Sequence, residues 1–306
     1  MTTESFHKAR KMQQHTTTDN SIRFDRRRFL QSAAVGGAAF LAGGLRPASA
    51  FEPADPYGGF KMGLQSYSLR GFDAKTALAH TRKLGVKYWE SFPGHIPLGT
   101  LPRHIAEQKA LLHDAGVTLL AYGVVEFDAN ETKTREKFDF AKAMGMTAMS
   151  ANPKKDKATF DLLDRMVEEY GVAIAIHNHG PGARYDKIRD VAEIVKDRHP
   201  KVGACVDTGH YLRSDEDPVQ ALETLSGRLF GVHLKDVRTI NDAGKRGKRF
   251  TILGQGDLDT LGCLRVLKKL NYAGCLALEY EENEKNPLAD IEACLETVRE
   301  AVKKLA

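Results

Sequence analysis

Residues 171–179 read G-V-A-I-A-I-H-N-H, and this stretch contains the pattern that decides the fold. A glycine follows a predicted helix, a short apolar run comes next, and polar residues that can bind ligands close the run. An apolar run of this length between a helix and a turn is typical of a buried strand. The same arrangement recurs along the chain, and the alternation of strands and helices indicates a parallel α/β protein.

Eight apolar runs alternate with amphipathic helical segments. The predicted strands cover residues 61–67, 86–91, 117–123, 146–151, 172–178, 202–207, 229–235 and 274–280. The predicted helices cover residues 74–84, 102–115, 132–144, 157–170, 186–199, 219–225, 258–270 and 287–305. Glycines that end helices directly precede several of the strands, namely Gly85, Gly116, Gly145 and Gly171.

This alternation predicts a single α/β domain, a (β/α)8 TIM barrel over residues 51–306. The 256 residues of that range are close to the roughly 250 that one such barrel needs. A doubly wound sheet is the main alternative. It has less support because no G-x-G-x-x-G follows the first predicted strand.

Residues 1–50 resemble a twin-arginine export signal. They contain D-R-R-R-F-L-Q at 25–31, an Ala/Gly-rich stretch up to Leu45, and A-S-A at 48–50. We expect cleavage near Phe51, a transient contact with the twin-arginine translocase, and a periplasmic or secreted product. Four glycines in the apolar stretch argue against stable membrane insertion.

The formal net charge of +5 also belongs to the leader. Residues 1–50 hold eight of the 45 basic and three of the 40 acidic residues, which leaves 37 of each in the rest of the chain. A balanced body lacks the clustered Lys and Arg that bind nucleic-acid phosphates. We therefore expect no nucleic-acid partner, although the sequence leaves a homo-oligomer open.

The four cysteines all lie beyond the leader, and none forms a C-x-x-C pair. Cys205, Cys263 and Cys275 lie in apolar stretches and are expected to be buried. The sequence assigns no disulfide.

Ligand-type residues collect at the predicted carboxyl ends of the strands, where TIM barrels place their active sites. They are Glu90, Glu126, Asn152, His177, Asn178, His179, Asp207, His210, His233, Lys235, Glu279 and Glu281. Because side chains alternate along a strand, His177 and His179 can share a face, as can His233 and Lys235.

The ligand types indicate one divalent metal ion. Asp207, His233 and Glu279 follow the sixth, seventh and eighth predicted strands, and a group from the fifth would complete the site. Imidazole and carboxylate without cysteine favour Mn²⁺, Co²⁺, Fe²⁺ or Zn²⁺ over Ca²⁺.

Over residues 60–304 the chain resembles the sugar phosphate isomerase/epimerase family of xylose isomerase-like barrels. Its members include ketose 3-epimerases, inosose dehydratases, hydroxypyruvate isomerases and the endonuclease IV type of apurinic endonuclease. The matching segments are L-Q-S-Y-S-L-R (64–70), W-E-S (89–91), A-I-H-N-H-G (175–180), D-T-G-H (207–210), V-H-L-K-D-V (232–237), L-G-Q-G-D-L-D (253–259) and L-A-L-E-Y (276–280).

The resemblance implies roles for five residues. Asp207, His233 and Glu279 match three of the family's four metal ligands, and His210 matches a histidine that contacts substrate. His177 stands where the family usually has the glutamate of an E-N-H segment, so it is the fourth ligand by position. In the family's epimerases that glutamate and the one on strand 8 act on opposite faces of the substrate, and an imidazole here argues against that simple scheme.

The family's common chemistry is removal of a proton next to a carbonyl. Glu279 is the best candidate for a base or ligand, and His179, His210 and His177 are acid–base candidates because imidazole titrates near neutral pH. Lys235 would supply positive charge to a substrate oxygen, or would only pair with an acid. The residues predicted to bind substrate, each with a structural role as the alternative, are Glu90, Glu126, Tyr67 and Trp89.

Three functions remain open: a metal-dependent sugar isomerase or epimerase, a keto-sugar or inosose lyase or hydratase on the same site, and a non-catalytic sugar-binding barrel. The basic run at 245–249 is either a solvated loop or a phosphate site. If the enzyme is exported, its expected substrate is an unphosphorylated carbohydrate or cyclitol. The endonuclease function has the least support, because the second and third predicted strands offer no histidines for further zinc ions.

Overall fold

The computed structural model describes residues 55–242 and 245–305. The predicted export signal at residues 1–50 lies outside these ranges, and its boundary, cleavage and destination stay predictions. Within the same ranges, every helix is too short or too polar to cross a lipid bilayer.

Eight parallel strands close into a barrel, as predicted, and the chain order is kept around it. The barrel strands are β1 (Lys61–Gln65), β2 (Tyr88–Ser91), β3 (Thr118–Phe127), β4 (Ala148–Pro153), β5 (Ala173–His177), β6 (Val202–Asp207), β7 (Leu229–Leu234) and β10 (Cys275–Leu278). The first and last of these pair with each other and complete the ring.

Helices surround the barrel between successive strands. They are α1 (Ala74–Lys83), α2 (Pro102–Ala115), α3 (Glu131–Met144), α4 (Lys157–Tyr170), α5 (Ile188–Val195), α6 (Thr208–Arg213), α7 (Pro218–Thr224), α8 (Thr260–Lys269) and α9 (Leu288–Lys303). Two short 3-10 turns, Ser66–Leu69 and Ser226–Arg228, extend β1 and precede β7.

Helix ends follow the local sequence closely. Gly116, Gly145 and Gly171 end three of the helices in the left-handed conformation, which a residue with a Cβ adopts at a cost. At the opposite ends, Asn130 and Asp156 cap α3 and α4 by accepting hydrogen bonds from backbone N–H groups. These caps fix where each helix returns the chain to the next strand.

Two elements differ from the sequence prediction. Most of the segment 238–256, expected as a loop, belongs to an antiparallel hairpin of β8 (Asp236–Asp242) and β9 (Lys245–Thr251). Helix α6 is absent from the sequence prediction, because it starts directly after β6 without a linker. Its N-cap is Asp207, whose Oδ1 accepts a hydrogen bond from the His210 N–H at 2.7 Å.

Strand β6, which carries Asp207, depends on a residue without a side chain at position 203. A Cβ on Gly203 would overlap the carbonyl oxygen of Arg228 and the ring of Phe230. We expect Gly203→Ala to lower the free energy of unfolding by about 1–3 kcal/mol through overpacking. Gly227→Ala, where a Cβ meets nothing within 4 Å, should stay within about 0.5 kcal/mol of the parent. Urea unfolding compares the two, and equal stabilities would contradict the packing argument.

Candidate functional site

Four side chains converge at the carboxyl end of the barrel. His177, Asp207, His233 and Glu279 each offer one ligand atom, and these four atoms lie within 4.8 Å of one another. The four residues come from β5, β6, β7 and the position after β10, and all are buried. They are the same four residues that the sequence predicts as metal ligands.

Two side-chain clamps hold the ends of these strands in register. Asn178 accepts from the Asp207 N–H at 2.8 Å and donates to the Asp207 carbonyl at 3.0 Å, which joins β5 to β6. The Thr208 hydroxyl accepts from the Lys235 N–H at 2.9 Å and donates to its carbonyl at 2.7 Å. Backbone positions at the site are therefore fixed, and the freedom that remains belongs to side chains.

The donor set fits a divalent cation. His177 Nε2 lies 3.1 Å from His233 Nδ1, which in turn lies 3.0 Å from Glu279 Oε2. Asp207 Oδ2 and Glu279 Oε2 are buried and have no well-oriented hydrogen-bond donor among the described residues. Carboxylate oxygens and imidazole nitrogens that converge on one point are the ligands expected of Mn²⁺, Co²⁺, Fe²⁺ or Zn²⁺.

Glu90 supports this cluster from below. Its Oε2 lies 3.0 Å from His233 Nε2, and its Oε1 accepts hydrogen bonds from Gln65 and Ser150. Burial lowers the pKa of His233, but nearby charges including Glu90 outweigh it and raise the pKa well above its usual range. Glu90 therefore orients His233 so that Nδ1 faces the cluster, as carboxylates behind metal-binding histidines do.

Lys235 is buried among three carboxylates. Its Nζ lies 3.0 Å from Asp207 Oδ2, 2.9 Å from Glu279 Oε2 and 2.5 Å from Glu281 Oε1. Burial lowers the pKa of the lysine, but the three carboxylates raise it by a larger amount, so the pKa lies above its usual range. For Glu279 the directions are reversed: burial raises the pKa, but Lys235 and His233 lower it by a larger amount and hold it well below its usual value. Lys235 and Glu279 are therefore both charged at neutral pH.

Two further imidazoles face the cluster. His179 Nδ1 lies 3.2 Å from His177 Nδ1, and the rings of His179 and His210 have centroids 4.6 Å apart. Burial lowers the pKa of His179 to about 4 and that of His210 to about 2. Both rings are neutral at pH 7 and can accept or donate one hydrogen bond to a ligand.

A cavity of about 420 Å³ opens above these groups. Its lining includes Gln65, Tyr67, Phe92, His177, His179, His210, Arg213, Phe250, Glu279 and Glu281. Tyr67 and Phe92 meet edge to face with centroids 5.4 Å apart, and Phe250 reaches in from the hairpin. The cavity combines apolar rings with convergent polar groups, which is the usual composition of a small-molecule site.

The other three residues predicted to bind substrate lie away from this cavity. Trp89 packs between β2 and α1, where its indole N–H donates to Thr81 at 2.8 Å. Glu90 lies beneath His233. Glu126 has a side chain that is 66% exposed and pairs with Arg184 at 3.0 Å. The geometry thus gives these three residues no contact with a ligand in the cavity.

The sequence assigns no role to several residues that line the cavity, among them Gln65, Phe92, Arg213 and Phe250. Glu281 is named among the strand-end residues but is given no role, although it lies two positions after Glu279 and points to the same side. Phe92 follows β2 and Arg213 is the last residue of α6, and no pattern marks either of them. Phe250 belongs to the hairpin, and the sequence predicts a loop for that segment.

The contact between Glu90 and His233 predicts an effect on metal affinity. Glu90→Gln keeps the shape but removes the charge that orients the imidazole, so we expect Mn²⁺ to bind about 10–100-fold more weakly. Isothermal titration of metal-free protein measures this. Glu126→Gln makes the same substitution at an exposed side chain that pairs with Arg184. It is the control and should bind Mn²⁺ as the parent does. Equal Mn²⁺ affinities of the two variants would show that Glu90 does not support the metal site.

The lowered pKa of His179 predicts acid sensitivity of the metal-free protein. As pH falls through 6.5, the unfolded chain takes up a proton at this residue while the folded protein does not until about pH 4. Stability is therefore lost between these values. In urea unfolding at pH 7 and pH 5, His179→Gln should lose less stability than the parent, and His113→Gln, at an exposed site, should lose as much. A loss in His179→Gln equal to that of the parent would show that His179 is not held neutral.

Comparison with known proteins gives a consistent picture. An inosose dehydratase from Clostridium botulinum (strain Alaska E43 / Type E3) is 32% identical over 140 residues, which are 41% of this chain and 47% of that protein. The match thus spans about half the length of this curated relative.

Solved structures share the fold. The IOLI protein with a bound zinc atom has a TM-score of 0.62 at 19% identity, over 81% of this chain and 99% of that chain. D-allulose 3-epimerase from Methylomonas sp. has a TM-score of 0.61 at 15% identity, over 79% of this chain and 98% of the other.

The family model for the xylose isomerase-like TIM barrel matches residues 78–301, from the first helix to the last. That range contains every side chain of the four-residue cluster and seven of the eight barrel strands. The chain belongs to the xylose isomerase-like TIM barrel family.

Proposed function

We propose that this protein is a divalent-metal-dependent lyase that acts on an unphosphorylated keto-sugar or keto-cyclitol. It removes the proton next to the carbonyl group and releases the oxygen substituent on the β-carbon. The observation that carries the proposal is the cluster of His177, Asp207, His233 and Glu279, of which His177 and Glu279 line a cavity whose wall holds two further, neutral imidazoles.

One divalent ion held by the four-residue cluster would supply the positive charge that stabilises developing negative charge on the substrate oxygens. A bound zinc atom in the structurally similar IOLI protein supports this assignment. The ligand set suits Mn²⁺, Co²⁺, Fe²⁺ and Zn²⁺ alike, so titration of the metal-free protein with each ion would identify the one that binds.

Glu279 is the proposed base. It lines the cavity, and Lys235 and His233 keep it ionised despite burial, which is the state that accepts a proton. The C–H bond next to the carbonyl breaks, its electrons form a C=C bond, and the β C–O bond breaks. The departing oxygen takes up the proton that Glu279 removed and leaves as water or an alcohol, while the neutral rings of His179 and His210 are placed to hydrogen-bond it.

The substrate class is inferred from the cavity and from the relatives. Aromatic edges of Tyr67, Phe92 and Phe250 beside carboxylates and imidazoles suit a ring with hydroxyl groups. The inosose dehydratase relative acts, by its name, on a keto-cyclitol. Its match covers half of that protein, so its substrate enters here as part of the proposal.

An isomerase or epimerase is the second candidate, and the predicted isomerase chemistry begins with the same step. Glu279 is the carboxylate of the four-residue cluster that lines the cavity, which favours this candidate because a 1,2-proton shift needs one base on one face of the substrate. A structural neighbour named D-allulose 3-epimerase shares the fold. The two candidates differ in the step after proton removal, which is loss of the β-oxygen in a lyase and return of the proton in an isomerase.

The export prediction completes the proposal. If residues 1–50 direct the chain across the inner membrane, the enzyme meets carbohydrates and cyclitols outside the cytoplasm, where sugar phosphates are scarce. Fusing residues 1–50 to a reporter protein and finding it in the periplasm would support this. Retention in the cytoplasm would contradict it.

Deuterium exchange tests the central step. The Mn²⁺-loaded protein is incubated in D₂O with a panel of keto-sugars and inososes, and products are analysed by NMR and mass spectrometry. We expect deuterium next to a carbonyl, or an unsaturated product, and Glu279→Gln should slow its appearance by at least ~100-fold. Glu126→Gln should leave the rate unchanged.

The product separates the candidates. An unsaturated ketone with released water or alcohol supports the lyase, and an isomeric sugar with one deuterium supports the isomerase. If metal and sugar bind but no carbon exchanges its hydrogen with any substrate, the protein is a sugar-binding barrel and the catalytic proposal falls.

A further inference from the structure

Lys235 lies where a metal-binding site would not be expected to hold a second cation. Its Nζ contacts Asp207 Oδ2 at 3.0 Å and Glu279 Oε2 at 2.9 Å. Both carboxylate oxygens lack a well-oriented hydrogen-bond donor among the described residues. An ammonium group therefore sits beside the oxygens that the ion would need.

The contacts of the ammonium with Asp207 and Glu279 are ion pairs rather than well-oriented hydrogen bonds. Lys235 is 2% exposed, and two buried carboxylates without a nearby cation would strongly destabilise the folded protein. The lysine side chain offsets that cost in the metal-free protein. A bound divalent ion would do the same and would also repel the ammonium.

A third carboxylate, at the cavity wall, already holds the ammonium. Glu281 Oε1 lies 2.5 Å from Lys235 Nζ with hydrogen-bond geometry, and the Glu281 side chain is 24% exposed at the cavity wall. The ring of Phe250 lies 5.1 Å from the same nitrogen. Both groups stabilise a cation, and neither belongs to the four-residue cluster.

The fold also leaves room for the lysine stem. A Cβ at position 209 would lie 2.6 Å from Lys235 Cγ, so Gly209 is what allows this side chain to enter from its strand end. The Thr208 clamp fixes the backbone of Lys235. A shift of the ammonium between its partners thus requires rotation of the side chain only.

We propose that Lys235 is a displaceable counter-ion of the metal site. Without the ion, its ammonium neutralises Asp207 and Glu279. Metal binding breaks these two contacts and leaves the ammonium with Glu281 alone, at the cavity wall beside the substrate. This inference rests on the metal site of the proposed function and adds a positioning residue, Lys235, and its receiving partner, Glu281.

Displacement has a measurable consequence for affinity. The ion must break the contacts of Lys235 before it binds, so Lys235→Met should bind Mn²⁺ at least tenfold more tightly than the parent. Glu281→Gln removes the receiving partner, leaves the ammonium on the ligand oxygens, and should weaken binding at least threefold. A lysine with a purely structural role would predict weaker binding in Lys235→Met.

A double-mutant cycle tests the coupling between the two residues. The dissociation constant of Mn²⁺ is measured for the full chain from the electron paramagnetic resonance signal of free Mn²⁺, in the parent, both single variants and the double variant. Because Glu281 acts through Lys235, Glu281→Gln should have no further effect once Lys235 is Met. Lys248→Met removes a positive charge at the hairpin, 3.6 Å from Asp257, and should leave the affinity unchanged.

Each outcome decides the proposal. If Lys235→Met binds Mn²⁺ as the parent does or more weakly, or if Glu281→Gln weakens binding equally in both backgrounds, the counter-ion role is overturned while the metal site stands. If the parent binds no Mn²⁺, Co²⁺, Fe²⁺ or Zn²⁺, both the metal site and this inference fail. Lys235→Gln carries the same prediction should Lys235→Met be unstable without metal, and thermal unfolding should show a larger gain on adding Mn²⁺ in either variant than in the parent.

Discussion

Burial of three carboxylates, Glu90, Asp207 and Glu279, at one end of the barrel is the constraint on which the rest of this site depends. Buried acids need nearby positive charge or hydrogen-bond donors. Glu90 pairs with His233 through Oε2 and accepts hydrogen bonds from Gln65 and Ser150 at Oε1. The Oδ2 atom of Asp207 and the Oε2 atom of Glu279 lie beside the ammonium of Lys235 and imidazole nitrogens without a well-oriented hydrogen bond among the described residues. The fold therefore creates a strong local demand for a cation.

The barrel meets this demand with a rigid frame. Parallel strands deliver one ligand each, and the Asn178 and Thr208 clamps hold adjacent strand ends in register. Beside the cluster, His179 and His210 remain neutral because they are buried. A site with charged ligands on its floor and neutral imidazoles on its wall is suited to removing a proton and handling an oxygen leaving group. This is the physical basis for preferring lyase chemistry.

Much of this was accessible from the sequence. Apolar runs followed by His, Asp or Glu located the strands and their carboxyl ends, and Asp207, His233 and Glu279 were predicted from those ends, whereas the family resemblance implied His177 as the fourth ligand. The alternation of side chains also explains why Trp89 and Glu90, both predicted to bind substrate, do not both lie at the cavity. Trp89 and Glu90 are neighbours on β2, so they face opposite sides and could not both line one cavity; in the structure Trp89 lies toward α1 and Glu90 beneath His233.

Other features required the three-dimensional structure. Glu126 lies beyond the point where β3 still faces the barrel interior, and no sequence pattern marks that point. The hairpin that brings Phe250 to the cavity is stabilised by pairing between β8 and β9, which local composition rich in Lys and Arg concealed. The contacts of Lys235 with Asp207, Glu279 and Glu281 join three strand ends, so only the closed barrel reveals them.

Anomalous diffraction from a crystal of the Mn²⁺-loaded protein tests whether the four-residue cluster binds a metal ion. We expect one strong peak at the carboxyl end of the barrel, about 2.0–2.3 Å from a ligand atom of each of His177, Asp207, His233 and Glu279. A strongest peak elsewhere, or no peak among these four side chains at saturating Mn²⁺, would contradict it.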